Sequence, residues 1–99
     1  MYLVHVSIRQ RSSGAALPHA AAELITRVCA GRGGFEHLSV HADTRPHPVL
    51  GFYLRADSLA EAEAAAGSLW RHAALCVAQL SDWELVRAEV PLLRIDTWP

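Results

Sequence analysis

The sequence predicts an α+β fold in which four strands and two helices follow the order strand, helix, strand, strand, helix, strand. Two observations support this prediction. Four segments alternate apolar with polar side chains at a period of two, as strands with one buried face do. Two intervening segments repeat apolar residues at helical spacing and carry helix start or stop signals.

Each predicted strand has one apolar side and one polar side. The strands are predicted over residues 2–9, 35–42, 50–55 and 83–90. Alternation assigns to the apolar face Val4, Val6, Ile8, Leu38, Val40, Leu50, Phe52, Leu54, Val86, Ala88 and Val90. It assigns to the opposite face His5, Ser7, Arg9, His37, Ser39, His41, Gly51, Tyr53, Arg55, Leu85, Arg87 and Glu89, together with Leu3, Phe35 and Val49.

The first helix is predicted from about Leu17 to Ala30. Pro18 suits a first helical turn, and the glycines that follow Ala30 provide the stop. Its buried stripe is predicted to hold Ala21, Leu24, Ile25 and Val28.

The second helix has a sharper beginning. Ser58 is a favourable N-cap, and Glu61 three residues later completes the Ser-x-x-Glu capping box. Its predicted apolar side comprises Leu59, Ala62, Ala66, Leu69, Ala73 and Cys76.

Right-handed crossovers close this order of elements into a four-stranded antiparallel sheet with both helices on one face, the ferredoxin-like arrangement. The first strand is expected between the third and fourth, with the second strand at the edge beyond the third. The helices then cover the apolar face, and the opposite face stays uncovered.

Length and composition restrict the class of protein. Residues 1–99 are predicted to form one domain, because the chain is too short for two independent cores. A formal net charge of −1 and 19% charged residues predict neither a nucleic-acid partner nor an anionic membrane surface. No apolar run resembles a membrane span or a signal peptide, which predicts a cytoplasmic protein in which Cys29 and Cys76 are buried, reduced thiols.

The uncovered face admits two interpretations. It is either an ordinary solvated sheet face, as antiparallel sheets commonly have, or a face that packs against a second copy and encloses a polar cavity. Its mixture of aromatic, aliphatic and ionisable side chains favours the second interpretation, because a fully solvated face would carry more Lys and Glu. We therefore expect a homodimer.

Four polar residues of this face are expected to be neighbours, because the first and fourth strands are adjacent in this topology. They are His5, Ser7, Arg87 and Glu89. A carboxylate, an imidazole and a cation together form a plausible acid–base group. The alternative is a cross-strand pair that only stabilises the sheet.

We predict that Glu89, His5 and Arg87 are catalytic. Substrate-binding roles are predicted for Ser7, His37, Ser39, Tyr53 and Arg55. Trp70, Trp83 and Trp98 are interpreted as core or contact residues.

No metal ion or other cofactor is predicted. His37 and His41 share a face but lie roughly 13 Å apart along a strand, too far for one zinc ion. His41, Asp43 and His47 converge at best through a loop, without the spacing of a known zinc motif. The glycines at 31, 33 and 34 follow a helix, so they predict a stop and no phosphate-binding loop.

Several stretches resemble a known group of small actinobacterial proteins from peptide natural-product clusters. They are Met1–Val6, Glu36–His41, Arg45–Gly51, Ser58–Glu63 and Trp83–Leu92. The chain is similar to the terminal amide synthases of nosiheptide-type thiopeptide biosynthesis. The resemblance implies a ferredoxin-like homodimer that cleaves a dehydroalanine-bearing peptide tail, leaves a carboxamide and releases a pyruvate-type fragment.

The resemblance also implies a glutamate near the end of the last strand as the acid–base residue. Glu89 matches that position, and Glu84 is the alternative, which alternation places on the other face of the strand. Cleavage of an enamide requires only proton transfers, so the expected reaction is free of metals and cofactors. The competing prediction is a non-catalytic module that binds a small molecule or peptide on the same face.

Overall fold

The computed structural model describes residues 1–12 and 16–91, and its elements follow the predicted order. The four strands are β1 (Tyr2–Gln10), β2 (Phe35–His41), β3 (Val49–Leu54) and β4 (Trp83–Glu89). The two α-helices are α1 (Ala21–Cys29) and α2 (Leu59–Cys76). A short 3₁₀ helix, Ala78–Leu80, leads into β4.

The strands form one antiparallel sheet in the order β2-β3-β1-β4. The first strand therefore lies between the third and fourth, and β2 lies at the edge beyond β3. This is the predicted ferredoxin-like arrangement. Edge positions for β2 and β4 mean that both central strands, β1 and β3, are hydrogen-bonded on two sides.

The core lies between one face of the sheet and the two helices. The alternate residues Val4, Val6 and Ile8 of β1 are fully buried, as alternation predicts. They belong to the same cluster as Ile25 of α1 and Trp70 of α2, so both helices cover the same face. Trp83 is also buried in this cluster, which confirms the core interpretation of Trp70 and Trp83; Trp98 lies outside the described residues.

Helix α2 begins as the capping residues predict. The Ser58 hydroxyl accepts a hydrogen bond from the Glu61 backbone N–H at 3.1 Å. The prediction was wrong for two members of the buried stripe, because Leu59 and Cys76 at the two ends of α2 are exposed. Helix ends extend past the sheet that covers the middle, where Trp70 is buried instead.

Helix α1 begins four residues later than predicted. Pro18 lies in a turn before the helix, where its carbonyl accepts from the Ala21 N–H at 3.0 Å. The predicted glycine stop is confirmed, since Gly31 follows α1 with a φ of 77°.

Two β-bulges change which residues face the core. Pairing of β1 with β4 shifts at Ser7 and Ile8, so Val86 has no partner, while Leu85 lies opposite Ile8. The assignments of Val86 to the core and Leu85 to the uncovered face were therefore wrong: Val86 is 39% exposed and Leu85 packs against the core. One extra residue reverses the alternation along the rest of a strand.

The second bulge lies at the start of β2. Phe35 pairs with Leu54 and His37 with Tyr53, which leaves Glu36 unmatched. Phe35 thereby turns from its predicted place on the uncovered face to the core side, where its ring meets Phe52 edge to face with centroids 6.2 Å apart.

Both cysteines are free thiols in different surroundings. Cys29 is buried, and burial raises the pKa of its thiol to about 11. Cys76 is exposed, contrary to prediction.

Within residues 1–12 and 16–91, neither helix combines the length and apolar character needed to span a membrane.

Candidate functional site

The candidate site lies on the sheet face that the helices leave uncovered, here called the open face. Strand pairing arranges its side chains in three rows. The first row is His41, Val49, Ser7 and Arg87; the central row is Ser39, Gly51, His5 and Glu89; the third is His37, Tyr53 and Leu3. Neighbours within a row are about 5 Å apart, and the rows are roughly 7 Å apart.

The central row brings together residues from all four strands. His5 lies between Glu89 on β4 and Gly51 on β3, and Gly51 lies opposite Ser39. Gly51 leaves a space that its neighbours fill: an added Cβ would overlap the Ser39 hydroxyl and lie 3.2 Å from Leu3 Cδ1. A larger residue at Gly51 would therefore push Ser39 and Leu3 apart in the middle of the open face.

The predicted acid–base group is brought together. His5 is the direct cross-strand neighbour of Glu89, and Ser7 is that of Arg87. Arg87 Nε lies 3.3 Å from Glu89 Oε1, an ion pair between alternate residues of one strand. The two side chains are 67% and 55% exposed, so within one copy of the chain the pair is largely hydrated and contributes little to stability.

His5 has the perturbed imidazole of the site. Partial burial lowers the pKa of His5 below its ordinary value of 6.5, and the charge of His41 lowers it further. The Glu89 carboxylate acts in the opposite direction and raises it. Because the net shift is downward, neutral imidazole predominates at pH 7 and His5 is able to accept a proton.

The predicted binding residues on β2 and β3 form contacts of their own. The rings of His37 and Tyr53 lie with centroids 5.4 Å apart at a tilt of 47°. Ser39 Oγ lies 3.3 Å from His41 Nε2, within hydrogen-bond distance. These four side chains belong to β2 and β3, and His5 lies opposite Gly51 on β1.

Arg55 is the predicted binding residue that the structure does not bring into the cluster. It follows the last residue of β3, four positions from Gly51, which is roughly 13 Å along the strand. Its Nε lies 2.7 Å from Glu36 Oε2, so it pairs with the bulge residue of β2. A contact between Arg55 and a substrate held at His5 would require a ligand of that length.

Glu84 joins the open face unexpectedly. Regular alternation places it on the other face of the strand from Glu89, but the bulge at Val86 brings both glutamates to the same face. Glu84 lies opposite Arg9, and their Oε1 and Nε atoms are 3.2 Å apart. The sequence contains a signal for this bulge. The apolar residues Trp83 and Leu85 stand at odd positions, whereas the apolar residues Ala88 and Val90 stand at even positions.

Within the described ranges, no three His, Cys, Asp or Glu side chains are grouped as metal ligands. The side chains of the open face offer proton transfer at His5 and Glu89, and hydrogen bonding from Ser7, Ser39 and Tyr53.

Comparison of the chain with protein-family models, curated proteins and solved structures found no match.

Proposed function

We propose that the open face is the site of a cofactor-free acid–base enzyme that acts on a peptide. The observation that supports this proposal best is the central row, in which neutral His5 lies opposite the Glu89 carboxylate with Arg87 beside it. The nearby Glu89 carboxylate favours the charged imidazole, and both groups are able to give or accept a proton.

The substrate class follows from the resemblance to thiopeptide amide synthases. In this proposal the substrate is a peptide whose tail begins with dehydroalanine, and the reaction consumes one water. A proton adds to the terminal alkene carbon, and water adds to the resulting acyliminium carbon and loses a proton. The hydroxyl of this adduct then gives up its proton as the carbonyl forms, and the amide nitrogen gains a proton as the carbon–nitrogen bond breaks. The products are a peptide carboxamide and a pyruvyl fragment.

Glu89 is the proposed acid–base residue, with His5 as its partner in proton transfer and Arg87 as the cation paired with its carboxylate. The His5–Glu89 pair gives one proton to the alkene and recovers one from water, so its own protonation state is restored. Ser7, Ser39, His37 and Tyr53 are proposed to hydrogen-bond the peptide backbone. Because the pKa of His5 is lowered below 6.5, the imidazole gains its proton below that pH, so we expect turnover to rise as the pH falls below 6.5.

The proposal includes a homodimer that closes the open face. Leu3 and Val49 are half-buried in one copy and Val86 is 39% exposed, and these apolar groups alternate with the polar cluster. An interface of about 800 Å² per partner is enough to cover such a face. Exclusion of water would strengthen the electrostatic interaction of His5 with Glu89.

A cytoplasmic location is part of the same proposal, since Cys29 and Cys76 are free thiols.

The second candidate is a non-catalytic module that binds a peptide or small molecule on the open face. The exposure of Arg87 and Glu89 favours it, because hydrated charges are better placed for recognition at a surface than for proton transfer in a dry site.

The test is turnover of a synthetic peptide with a C-terminal dehydroalanine unit, with the carboxamide and pyruvyl products measured by mass spectrometry. Glu89→Gln retains the size of the side chain and loses titration, so we expect turnover to fall by about a hundredfold or more. Glu84→Gln is the comparison on the same face and strand, and Glu23→Gln is the control, because Glu23 is in an exposed ion pair with Arg27 on α1.

Loss of turnover in Glu89→Gln alone supports the proposal. Loss in Glu84→Gln with normal turnover in Glu89→Gln transfers the role to Glu84. Binding of the peptide by the wild type without any product supports the binding module, and a Glu89→Gln protein with the wild-type rate contradicts the assignment of Glu89.

A further inference from the structure

A separate cavity lies at the β4 edge of the core, on the helix side of the sheet. It lies between the second half of α2 and the first half of β4 and has a volume of about 450 Å³. Cavities that hold small ligands typically measure about 300–1,000 Å³. None of the three rows of the open face contributes to it, although Glu84, which faces the same way as Glu89, lies at its edge.

The walls of this cavity are mainly apolar and aromatic. Trp70 and Trp83 are buried residues that line the cavity, and Leu85 of β4 packs against the core beside them. Leu75 at the rim is 88% exposed, the most exposed large apolar side chain among the described residues. An apolar cavity with an exposed apolar rim favours a ligand with an apolar body.

Two cations lie at the same cavity. Arg71 extends back along α2, with Nη1 3.6 Å from the position of a Cβ on Gly67. Among residues 1–12 and 16–91, neither Arg71 nor Arg11 forms a side-chain ion pair, whereas Glu84 at the cavity edge is paired with Arg9. Asp82 lies close enough to Arg11 to interact electrostatically, but its carboxylate already accepts hydrogen bonds from Ser12.

We propose that this cavity binds a small amphiphilic anion, with an aromatic or branched body against Trp70 and Trp83 and an anionic group at Arg71. Guanidinium groups bind carboxylates, sulfonates and phosphates through parallel hydrogen bonds. Arg71, which has no ion-pair partner among the described residues, lies beside apolar walls and so matches both ends of such a molecule. Arg11 lies on the same cavity and contributes positive potential. This inference is independent of the function proposed for the open face.

A matched pair of fluorescent probes tests the proposal. The anion 1-anilinonaphthalene-8-sulfonate and the uncharged N-phenyl-1-naphthylamine have the same aromatic body and differ in the sulfonate. Titrated into the intact protein, the anion is expected to bind at one site and more tightly than the uncharged probe. Arg71→Gln should weaken anion binding by about tenfold and leave the uncharged probe unchanged.

Two further variants locate the site. Arg32→Gln removes an equally exposed arginine from the turn after α1 and should bind both probes as the wild type does. Ala74→Phe fills the cavity from α2 and should abolish binding of both probes. In the wild type, the indole N–H resonances of Trp70 and Trp83 should shift on binding, which gives a readout that requires no variant.

Equal anion affinity in Arg71→Gln and Arg32→Gln would overturn the assignment of Arg71. Unchanged binding in Ala74→Phe, or indole resonances of Trp70 and Trp83 that do not move, would overturn the site itself. Glu89→Gln should bind the anion normally, so failure here is distinguishable from failure of the open-face proposal.

Discussion

The charge of His5 depends on its burial and on two neighbours, His41 and Glu89, that come from different parts of the chain. Burial and His41 disfavour the imidazolium, and Glu89 favours it. Because the pKa of His5 is lowered in the folded chain, the unfolded chain binds this proton more readily. The contribution of His5 to the free energy of unfolding is therefore fully present above about pH 6.5, the unfolded value, and is lost as the pH falls below it.

The first prediction separates these neighbours. In Glu89→Gln the favourable charge is lost, so the pKa of His5 should fall further below that of the wild type. In His41→Asn the unfavourable charge is lost, so the pKa of His5 should rise. Titration of the His5 ring protons by NMR measures both shifts. Shifts of the same sign in the two variants would contradict the arrangement of the central row.

At the scale of elements, the bulge in β4 keeps two sets of apolar residues on the core face. Trp83 and Leu85 precede Val86, Ala88 follows it, and all three face the core although their spacing breaks a period of two. Without the bulge, one set would face the core and the other the open face. The residue after β4 is bonded to α2, because Glu63 Oε2 accepts a hydrogen bond from the Val90 N–H at 3.1 Å.

The second prediction compares two deletions in β4. Deletion of Val86 removes only the unpaired residue, so the other residues keep their faces; we expect a folded protein that is less stable by about 1–2 kcal/mol. Deletion of Ala88 forces Arg87 or Glu89 towards the core, or exposes Trp83 and Leu85. That change should cost about 3 kcal/mol or more, since a buried unpaired charge is expensive.

Urea denaturation followed by tryptophan fluorescence measures both deletions. Equal losses of stability in the two proteins would show that Val86 is not the extra residue of a bulge. A protein without Val86 that fails to fold, beside one without Ala88 that folds, would contradict the pairing of β1 with β4 as described.

For the whole molecule, the asymmetry between the two sheet faces is the main feature. One face of the sheet is buried under two helices, and the other presents histidines, serines, arginines and glutamates among apolar groups. The proposed homodimer would cover this second face and supply the dry surroundings that proton transfer favours.

The third prediction tests this assembly. Sedimentation at micromolar concentration should show a species of twice the 10.8 kDa of one chain. Val49→Asp places a charge on the open face away from the core and should shift the protein to monomer. Leu59→Asp, at the exposed first turn of α2, is the control and should remain dimeric. A wild type that sediments only as monomer would contradict the dimer.

The sequence by itself determined the order of the elements, the start of α2 at Ser58 and the face of most strand residues. These properties depend on local spacing, and a period of two or a Ser-x-x-Glu pattern acts within a few residues. The neighbourhood of His5 and Glu89 also followed, because the topology leaves β1 beside β4. Two of the misplaced residues, Phe35 and Leu85, carried a visible signal. Phe35 is three positions from Leu38 and Leu85 three from Ala88, where alternation on one face requires an even number.

Only the tertiary structure decided the rest. The bulges at Glu36 and Val86 depend on which residues the neighbouring strand offers for pairing, and they determine that Phe35 and Leu85 face the core and that Glu84 shares the open face with Glu89. The lowered pKa of His5 and the exposure of Cys76 likewise depend on packing between segments far apart in sequence. Local patterns specify which face of an element is apolar, whereas register and burial arise from contacts that local patterns do not contain.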